Sequence, residues 1–363
     1  MIDRRLFAQI DWRLLAVTAA LAAIGLASIY STTLGQGGYA YQRQLWWVAA
    51  GAGVMTVTVI LNYSLLERFA YPIFILSVAS LAATLAFGQT VGGAQRWLDL
   101  GVVSVQPSEF AKLAFIVVMA RYLSSIIVPK KGLGLKDLFL PGLLLAIPFV
   151  LIVREPDLGT SLIFVLIFGS MMLTVKIKTR TLAALAVLCV TLIPFAWGSL
   201  RSYQKKRLLS FLDPASDPLG SGYHLLQSKI AIGSGGFLGK GFTKGTQASL
   251  MFLPEHHTDF ILSTLAEEWG LMGSFTVLAL FLALLLRGLE AAKNSKDRFG
   301  FLLALGIAAM LFWHITINIG MVSGLLPVVG VPLPFLSYGG SFLLTSLIGV
   351  GILVNIGMRR FIF

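Results

Sequence analysis

Apolar residues in this chain gather in runs close to the roughly 20 that a helix needs to cross a bilayer, and short polar turns separate them. Ten such runs can be marked, near residues 12–31, 45–62, 66–87, 107–127, 138–153, 157–175, 180–198, 261–287, 299–322 and 341–357. The pattern predicts an all-α polytopic membrane protein of about ten transmembrane helices, forming one domain over residues 1–363. Only Arg154-Glu155-Pro156-Asp157 parts the fifth run from the sixth, a reversal in which proline ends one helix and opens the next.

One stretch breaks the pattern. Between the seventh and eighth runs, residues 199–260 carry scattered cations and the glycines Gly233, Gly235, Gly236, Gly239, Gly241 and Gly245. The stretch is too polar to span and too long for a simple turn, which predicts one large ordered loop. Within it, Leu225, Leu226, Ile230 and Ile232 are spaced for a short amphipathic helix over Tyr223–Ile232. No long internal repeat is evident.

Composition agrees with a membrane protein: 57% of the 363 residues are hydrophobic, 12% are charged and the mean hydropathy is +0.85. Charge then orients the chain. With the N-terminus inside, the inner segments hold Arg4, Arg5, Arg68, Lys130, Lys131, Lys136, Lys176, Lys178, Arg180, Arg287, Lys293, Lys296, Arg298, Arg359 and Arg360, whereas the short outer turns hold little beyond Arg43, Arg96 and Arg154. By the positive-inside rule both termini are cytoplasmic and residues 199–260 form an extracytoplasmic loop between spans seven and eight. Topology thus accounts for most of the net charge of +12, and no basic face is left over for a nucleic acid. The acids fall the other way. Asp99, Glu109, Glu155, Asp157, Asp213, Asp217, Glu255, Asp259, Glu267 and Glu268 all lie in outer loops or outer span ends, a bias that orientation does not require and that suggests a site. The apolar run after Met1–Arg13 has the length of a full span, so the first helix is expected to be retained. The sole cysteine, Cys189, lies inside the seventh run and offers neither a disulfide nor a Cys-based metal site.

Four outer segments carry candidate chemistry. In the first, Arg96 and Trp97 precede Gln106-Pro107-Ser108-Glu109, where proline suits a first helical turn and the next two residues suit a helix N-terminus. Trp97 alone reads equally well as an interfacial belt residue. Glu109 and Lys112, three apart, share a helix face, and an ionisable pair inside a span is expensive unless it lines a polar cavity. In the second, Asp157 is either an ordinary helix cap or part of the same cavity. The third, Pro254-Glu255-His256-His257-Thr258-Asp259-Phe260, sets two carboxylates and two imidazoles at the mouth of the eighth run. Glu255 and Asp259 share a face if the helix begins by Pro254. These residue types could ligate a metal, but the spacing matches no strong metal motif, and general-base work by a carboxylate is better supported. A helix N-terminus would lower such a carboxylate's pKa while burial and its neighbour would raise it. In the fourth, Pro327, Pro332 and Pro334 break the backbone before Ser337 and Tyr338, and irregular backbone at this depth is expected to wall a polar cavity.

The motifs QRWLDLG (95–101), QPSEFAK (106–112), EPDLGTS (155–161), GKG with GTQ (239–241, 245–247), PEHHTDF (254–260) and PFLSYGGS (334–341) together closely resemble the SEDS family, in order and over the whole chain. The pattern is more like the rod-shape RodA branch than the division FtsW branch. The resemblance implies a peptidoglycan glycosyltransferase that polymerises lipid II into β-1,4 glycan strands on the outer face of the bacterial cytoplasmic membrane and releases undecaprenyl pyrophosphate, in cell elongation. It implies a class B penicillin-binding protein and other elongation-complex proteins as partners. It also implies Asp259 as the residue essential to polymerisation, with Trp97, Glu109, Lys112 and Glu255 at matching positions of the cavity. Arg96, Gln106, Ser108, Asp157, His257, Thr258, Ser337 and Tyr338 are expected to contact substrate. The leaving pyrophosphate would need positive charge from Arg96, Lys112, an outer-loop lysine or a divalent cation, Mg²⁺ or Mn²⁺; no other cofactor and no fixed metal site are expected. His256 and Phe342 depart from the family pattern without touching the reaction. Two readings from other classes compete, a lipid II flippase or transporter and a scaffold for a partner synthase. The outer placement of the acids favours surface chemistry over both.

Overall fold

The computed structural model describes residues 9–34, 38–91, 94–99, 101, 103–213, 217, 220–249 and 257–360. Its main helices are α1 (Trp12–Thr33), α2 (Tyr39–Ile60), the short α3 (Ser64–Arg68), α4 (Ala70–Phe87), α5 (Pro107–Ser125), α6 (Phe139–Arg154), α7 (Leu158–Met172) and α8 (Thr179–Ser199). The polar stretch contains α9 (Ser202–Leu212), α10 (Ser221–Ser234) and α11 (Thr246–Ser249), and the chain closes with α12 (Ile261–Lys293), α13 (Arg298–Ser323) and α14 (Gly340–Met358). Every predicted apolar run is helical. Among the described residues six helical segments are long and apolar enough to cross a membrane: α1, α4, Lys136–Arg154 (α6 with its leading turn), α12, α13 and α14. Helix α5 carries Glu109, Lys112 and Arg121, α2 opens on Tyr-Ala-Tyr-Gln-Arg-Gln, and the 15 residues of α7 rise only about 22 Å against a hydrocarbon core of roughly 30 Å.

The all-α expectation needs one amendment. Between α4 and α5 the chain forms a small antiparallel sheet of β1 (Gln89–Val91), β2 (Ala94–Asp99) and β3 (Ser104–Val105) in the order β1-β2-β3, with Gln89 opposite Trp97 and Leu98 opposite Val105. The predicted amphipathic helix is present and slightly longer, as α10.

Helices α5, α13 and α14 form the middle of the bundle. From Pro107 to Ala120 almost every α5 residue is buried, and Phe115, Ile116, Val118, Met119 and Ala120 have no exposed surface. A helix apolar on all sides gains by complete enclosure. Around it, Ile75 and Leu76 of α4, Leu143 of α6 and Val187 and Phe195 of α8 point outward, as lipid-facing side chains do. The segment Gly324–Gly339 stays irregular and packs so tightly on α1 that Gly25 leaves no room for a Cβ beside the Phe335 carbonyl.

Helix α12 is broken at Gly270 (φ 65°, ψ −160°), and a neighbouring segment repairs the break. Lys240 and Gly241 N–H donate to the carbonyls of Glu267 (3.0 Å) and Glu268 (2.9 Å), and Leu271 and Met272 N–H donate to the carbonyls of Gly236 (2.9 Å) and Phe237 (3.2 Å). Backbone groups freed inside an apolar environment need such partners. The Glu267 carboxylate clamps the same segment, accepting from Lys240 Nζ at 2.6 Å, Thr246 Oγ1 at 2.8 Å and Thr246 N–H at 2.9 Å. Glu268 is bonded to Ser31. These two acids therefore fasten the polar stretch to the bundle, and the outer acids do not form the single site that their clustering in sequence suggests.

Candidate active site

Asp259 lies in a turn, residues 257–260, immediately before α12, with Phe260 at the helix cap. The helix does not begin by Pro254, so Asp259 is not on a helical face; Glu255 and His256 lie outside the described residues. Donors from two other segments fix the three carbonyls of this turn. Tyr338 N–H donates to His257 O at 2.9 Å, Ser337 Oγ to Thr258 O at 2.7 Å and Asn318 Nδ2 to Asp259 O at 2.8 Å. Asn318 also donates to Val331 O at 2.8 Å, and Ser337 Oγ accepts from Leu333 N–H at 2.8 Å, so α13 and the proline-broken segment hold the turn together. The His257 ring packs edge-on to Tyr338 at 5.6 Å. Burial pushes the half-buried Tyr338 phenol above its ordinary pKa, against the opposing charge of Arg43.

With its backbone fixed, the Asp259 side chain reaches Gly330 (φ +74°). A methyl there would stand 3.3 Å from Asp259 Oδ2 and 3.9 Å from Arg207 Nη1. Arg207 belongs to α9 in the polar stretch, and its guanidinium also lies 5.9 Å from the Tyr203 ring centre. Nothing in its local sequence, Lys205-Lys206-Arg207, separates it from its neighbours; the fold alone brings it to Asp259.

Tyr203 leads to the second group. Its hydroxyl donates to Pro156 O at 3.1 Å, and Arg96 donates to the same carbonyl at 2.5 Å and to Glu155 O at 3.4 Å. Arg96 Nε also stands 3.6 Å from Asp157 Oδ2. Asp157 caps α7 and accepts from Thr160 N–H (3.1 Å), Thr160 Oγ1 (2.9 Å) and Gln106 Nε2 (3.5 Å). Gln106 N–H donates to Ser341 Oγ at 3.0 Å, tying the start of α5 to that of α14. Ser108 is fully buried, and Trp97 is half-buried on β2. Next to Asp157 sits Glu155, 1% exposed, whose two carboxylate oxygens have no hydrogen-bond partner among the described residues. Burial first, then the Asp157 charge, push its pKa up to about 8, and Arg96 opposes the shift.

The third group lies deeper. Lys112 Nζ is 2.9 Å from Glu109 Oε2, with the side chains 1% and 3% exposed, and 2.8 Å from His314 Nε2. His314 Nδ1 faces Met310 O at 2.8 Å, so that nitrogen carries the proton and Nε2 accepts from lysine. Phe342, where the sequence departs from its family pattern, covers both residues, 5.4 Å from the Lys112 ammonium and 5.0 Å between its ring centre and that of His314. Lys112 is thus committed to Glu109 and His314, whereas Arg96 stands by Asp157 and Arg207 by Asp259. Among the described residues no three His, Cys, Asp or Glu side chains gather as metal ligands. Asp157 is taken up by Thr160, Gln106 and Arg96, and Asp259 has Arg207 nearby.

The comparisons with known proteins agree with this architecture. The family profile described as Cell cycle protein (FtsW/RodA/SpoVE) matches residues 9–361. This chain belongs to that family. It is 42% identical to the peptidoglycan glycosyltransferase MrdB of Escherichia coli K12 over 97% of this chain and 94% of that protein. It is 32% identical to the peptidoglycan glycosyltransferase RodA of Treponema pallidum, over 96% and 98%. Among solved structures it matches a chain from work on "structural coordination of polymerization and crosslinking by a peptidoglycan synthase complex" with a TM-score of 0.84 and 30% identity, over 98% and 99% of the two chains. It matches the rod shape determining protein RodA of Thermus thermophilus with a TM-score of 0.73 and 27% identity, over 97% and 98%. The chain is therefore a multi-pass helical membrane protein of RodA type.

Proposed function

We propose that this protein is a peptidoglycan glycosyltransferase of the rod-shape branch, polymerising lipid II at the outer face of the cytoplasmic membrane with Asp259 as general base. The observation that carries the reading is the fixed turn at residues 257–259, which presents Asp259 at Gly330 beside Arg207. Asp259 removes the proton from the C4 hydroxyl of the acceptor GlcNAc as that oxygen bonds to C1 of the donor MurNAc. The C1–oxygen bond to pyrophosphate breaks, and undecaprenyl pyrophosphate leaves. The donor linkage is α and the product β-1,4, so one inverting displacement with a single base suffices. Arg207 and Arg96 provide the counter-charge for the leaving group, with bidentate geometry that suits phosphate oxygens. Trp97, Gln106, Ser108, Asp157, His257, Thr258, Ser337 and Tyr338 shape the substrate cavity above the Glu109–Lys112 pair, and Glu255 completes it.

In this reading all ten long helices cross the membrane, both termini are cytoplasmic, and residues 199–260 lie outside. A class B penicillin-binding protein crosslinks the strands. Similarity to a chain from a peptidoglycan synthase complex supports that partnership.

The experiment is polymerisation of labelled lipid II by the purified protein with its partner, whose crosslinking activity is blocked. Uncrosslinked glycan ladders are expected, and Asp259→Asn should reduce them by about 10²- to 10⁴-fold, the usual cost of losing a positioned base. Wild-type ladders from Asp259→Asn would remove the base assignment. A transport reading draws on the buried Glu109–Lys112–His314 group, since ionisable residues inside spans often mark ion pathways. Absence of ladders together with translocation of lipid II across vesicles would favour it.

A further inference from the structure

Arg287 lies about 26 residues along α12 from its start beside Asp259, on the order of 40 Å away at the helical rise. At that far end, the residues entering α1 and the last turns of α12 and α14 surround a cavity of about 340 Å³. Its charged lining residues are Arg13, Arg287, Arg360, Asp11 and Glu290. Arg287 bridges the acids, 3.5 Å from Asp11 and paired with Glu290. Asp11 is fixed further by accepting from the N–H groups of Arg13 and Leu14, both at 3.1 Å. Buried Leu14 and Leu353 add apolar wall, and Trp12, 66% exposed, stands at the rim.

This lining selects by charge. A purely anionic ligand would meet two carboxylates, and a purely cationic one three guanidiniums; a group bearing both signs finds a partner for each. The volume is at the low end of small-ligand sites, roughly 300–1,000 Å³, which disfavours a nucleoside triphosphate, as does a lining whose named charges nearly cancel. An exposed tryptophan beside arginines at a helix end is the composition of a membrane–water interface. We propose that the cavity binds the headgroup of a zwitterionic phospholipid that carries a primary amine, its phosphodiester on Arg13 and Arg360 and its ammonium sharing Glu290 and Asp11 with Arg287. The site is separate from the Asp259 cavity and does not depend on the proposed reaction.

Native mass spectrometry of the intact chain released from detergent tests it, with phosphatidylethanolamine, phosphatidylglycerol and soluble glycerophosphoethanolamine as probes. Phosphatidylethanolamine should be retained at least about tenfold more tightly than phosphatidylglycerol, a difference of roughly 1.4 kcal/mol. Arg13→Gln with Arg360→Gln should weaken both lipids by about tenfold or more, whereas Glu290→Gln should weaken the amine lipid and reduce the discrimination. These side chains are exposed, and matched unfolding temperatures would verify that the variants fold. Equal retention of the two lipids, or no effect of the double substitution, would overturn the proposal. Equally tight binding of glycerophosphoethanolamine would reassign the cavity to a water-soluble phosphate ester and overturn the lipid claim.

Discussion

Replacing Glu155 by glutamine should make the protein more stable at neutral and mildly alkaline pH. The carboxyl is almost wholly buried in the turn between α6 and α7, neither oxygen has a hydrogen-bond partner among the described residues, and its pKa rises from 4.5 to about 8. The folded protein therefore keeps a proton that the unfolded chain releases above about 4.5. Its stabilising effect is complete below that value, declines by roughly 1.4 kcal/mol per pH unit, and is gone once pH passes about 8. At pH 7 the wild type has lost about 3 kcal/mol relative to its acid limit. Glutamine has nearly the shape of the protonated acid and does not titrate. Its extra N–H groups cost about 1–3 kcal/mol if they find no acceptor, so the advantage emerges between about pH 5 and 7 and is largest above about pH 8. The assay is tryptophan fluorescence during heating of detergent-solubilised wild type and Glu155→Gln at pH 5, 6, 7, 8 and 9. The wild-type unfolding temperature should fall with pH relative to the variant, and the two curves should diverge most between pH 5 and 8. Parallel curves, or a variant less stable at pH 8 and 9, would show that Glu155 is ionised in the folded protein and refute the reasoning.

Lys112→Met should destabilise the protein by about 3–5 kcal/mol because it leaves Glu109 buried and unpaired, and adding Glu109→Gln should recover much of the loss; a double-mutant cycle of unfolding temperatures measures the difference. Arg207→Ala should leave folding intact and lower lipid II polymerisation by about 10- to 100-fold, with partial recovery in Arg207→Lys; unchanged steady-state rates would remove Arg207 from the site. Gly330→Ala places a methyl 3.3 Å from Asp259 Oδ2 on a left-handed backbone, a conformational cost of about 1–2 kcal/mol, and should reduce kcat several-fold; kcat equal to wild type would mean that Asp259 does not need this space.

The helices were legible because burial in a bilayer requires long apolar runs, and all ten runs fold as helices. Site residues close together in sequence were legible too: Glu109 with Lys112, and Asp157 as a helix cap, follow from local spacing. The sheet at residues 89–105 was missed because its three strands have six residues or fewer, too short for a clear alternation. Arg207, His314 and Asn318 gave no local signal. Arg207 sits in a run of three cations, and His314 and Asn318 lie inside an apolar helix; Glu155 stood in a family motif, but its burial was not legible there.

The sequence by itself determined that this is a multi-pass membrane protein of the FtsW/RodA/SpoVE family, and which helices, turns and motifs it contains. Those properties depend on hydrophobicity and on spacing within a few residues. Tertiary structure decided what the polar residues do. It separated the outer acids into a clamp at Glu267, a bond from Glu268 to Ser31, a buried orphan at Glu155, a cap at Asp157 and a presented carboxylate at Asp259. The physical reason is that the role of a charged group in a membrane protein depends on its partners, and here those partners come from segments far apart in the chain. Asn318 and Ser337 hold the Asp259 turn from α13 and the segment beyond it, and Arg207 approaches from α9.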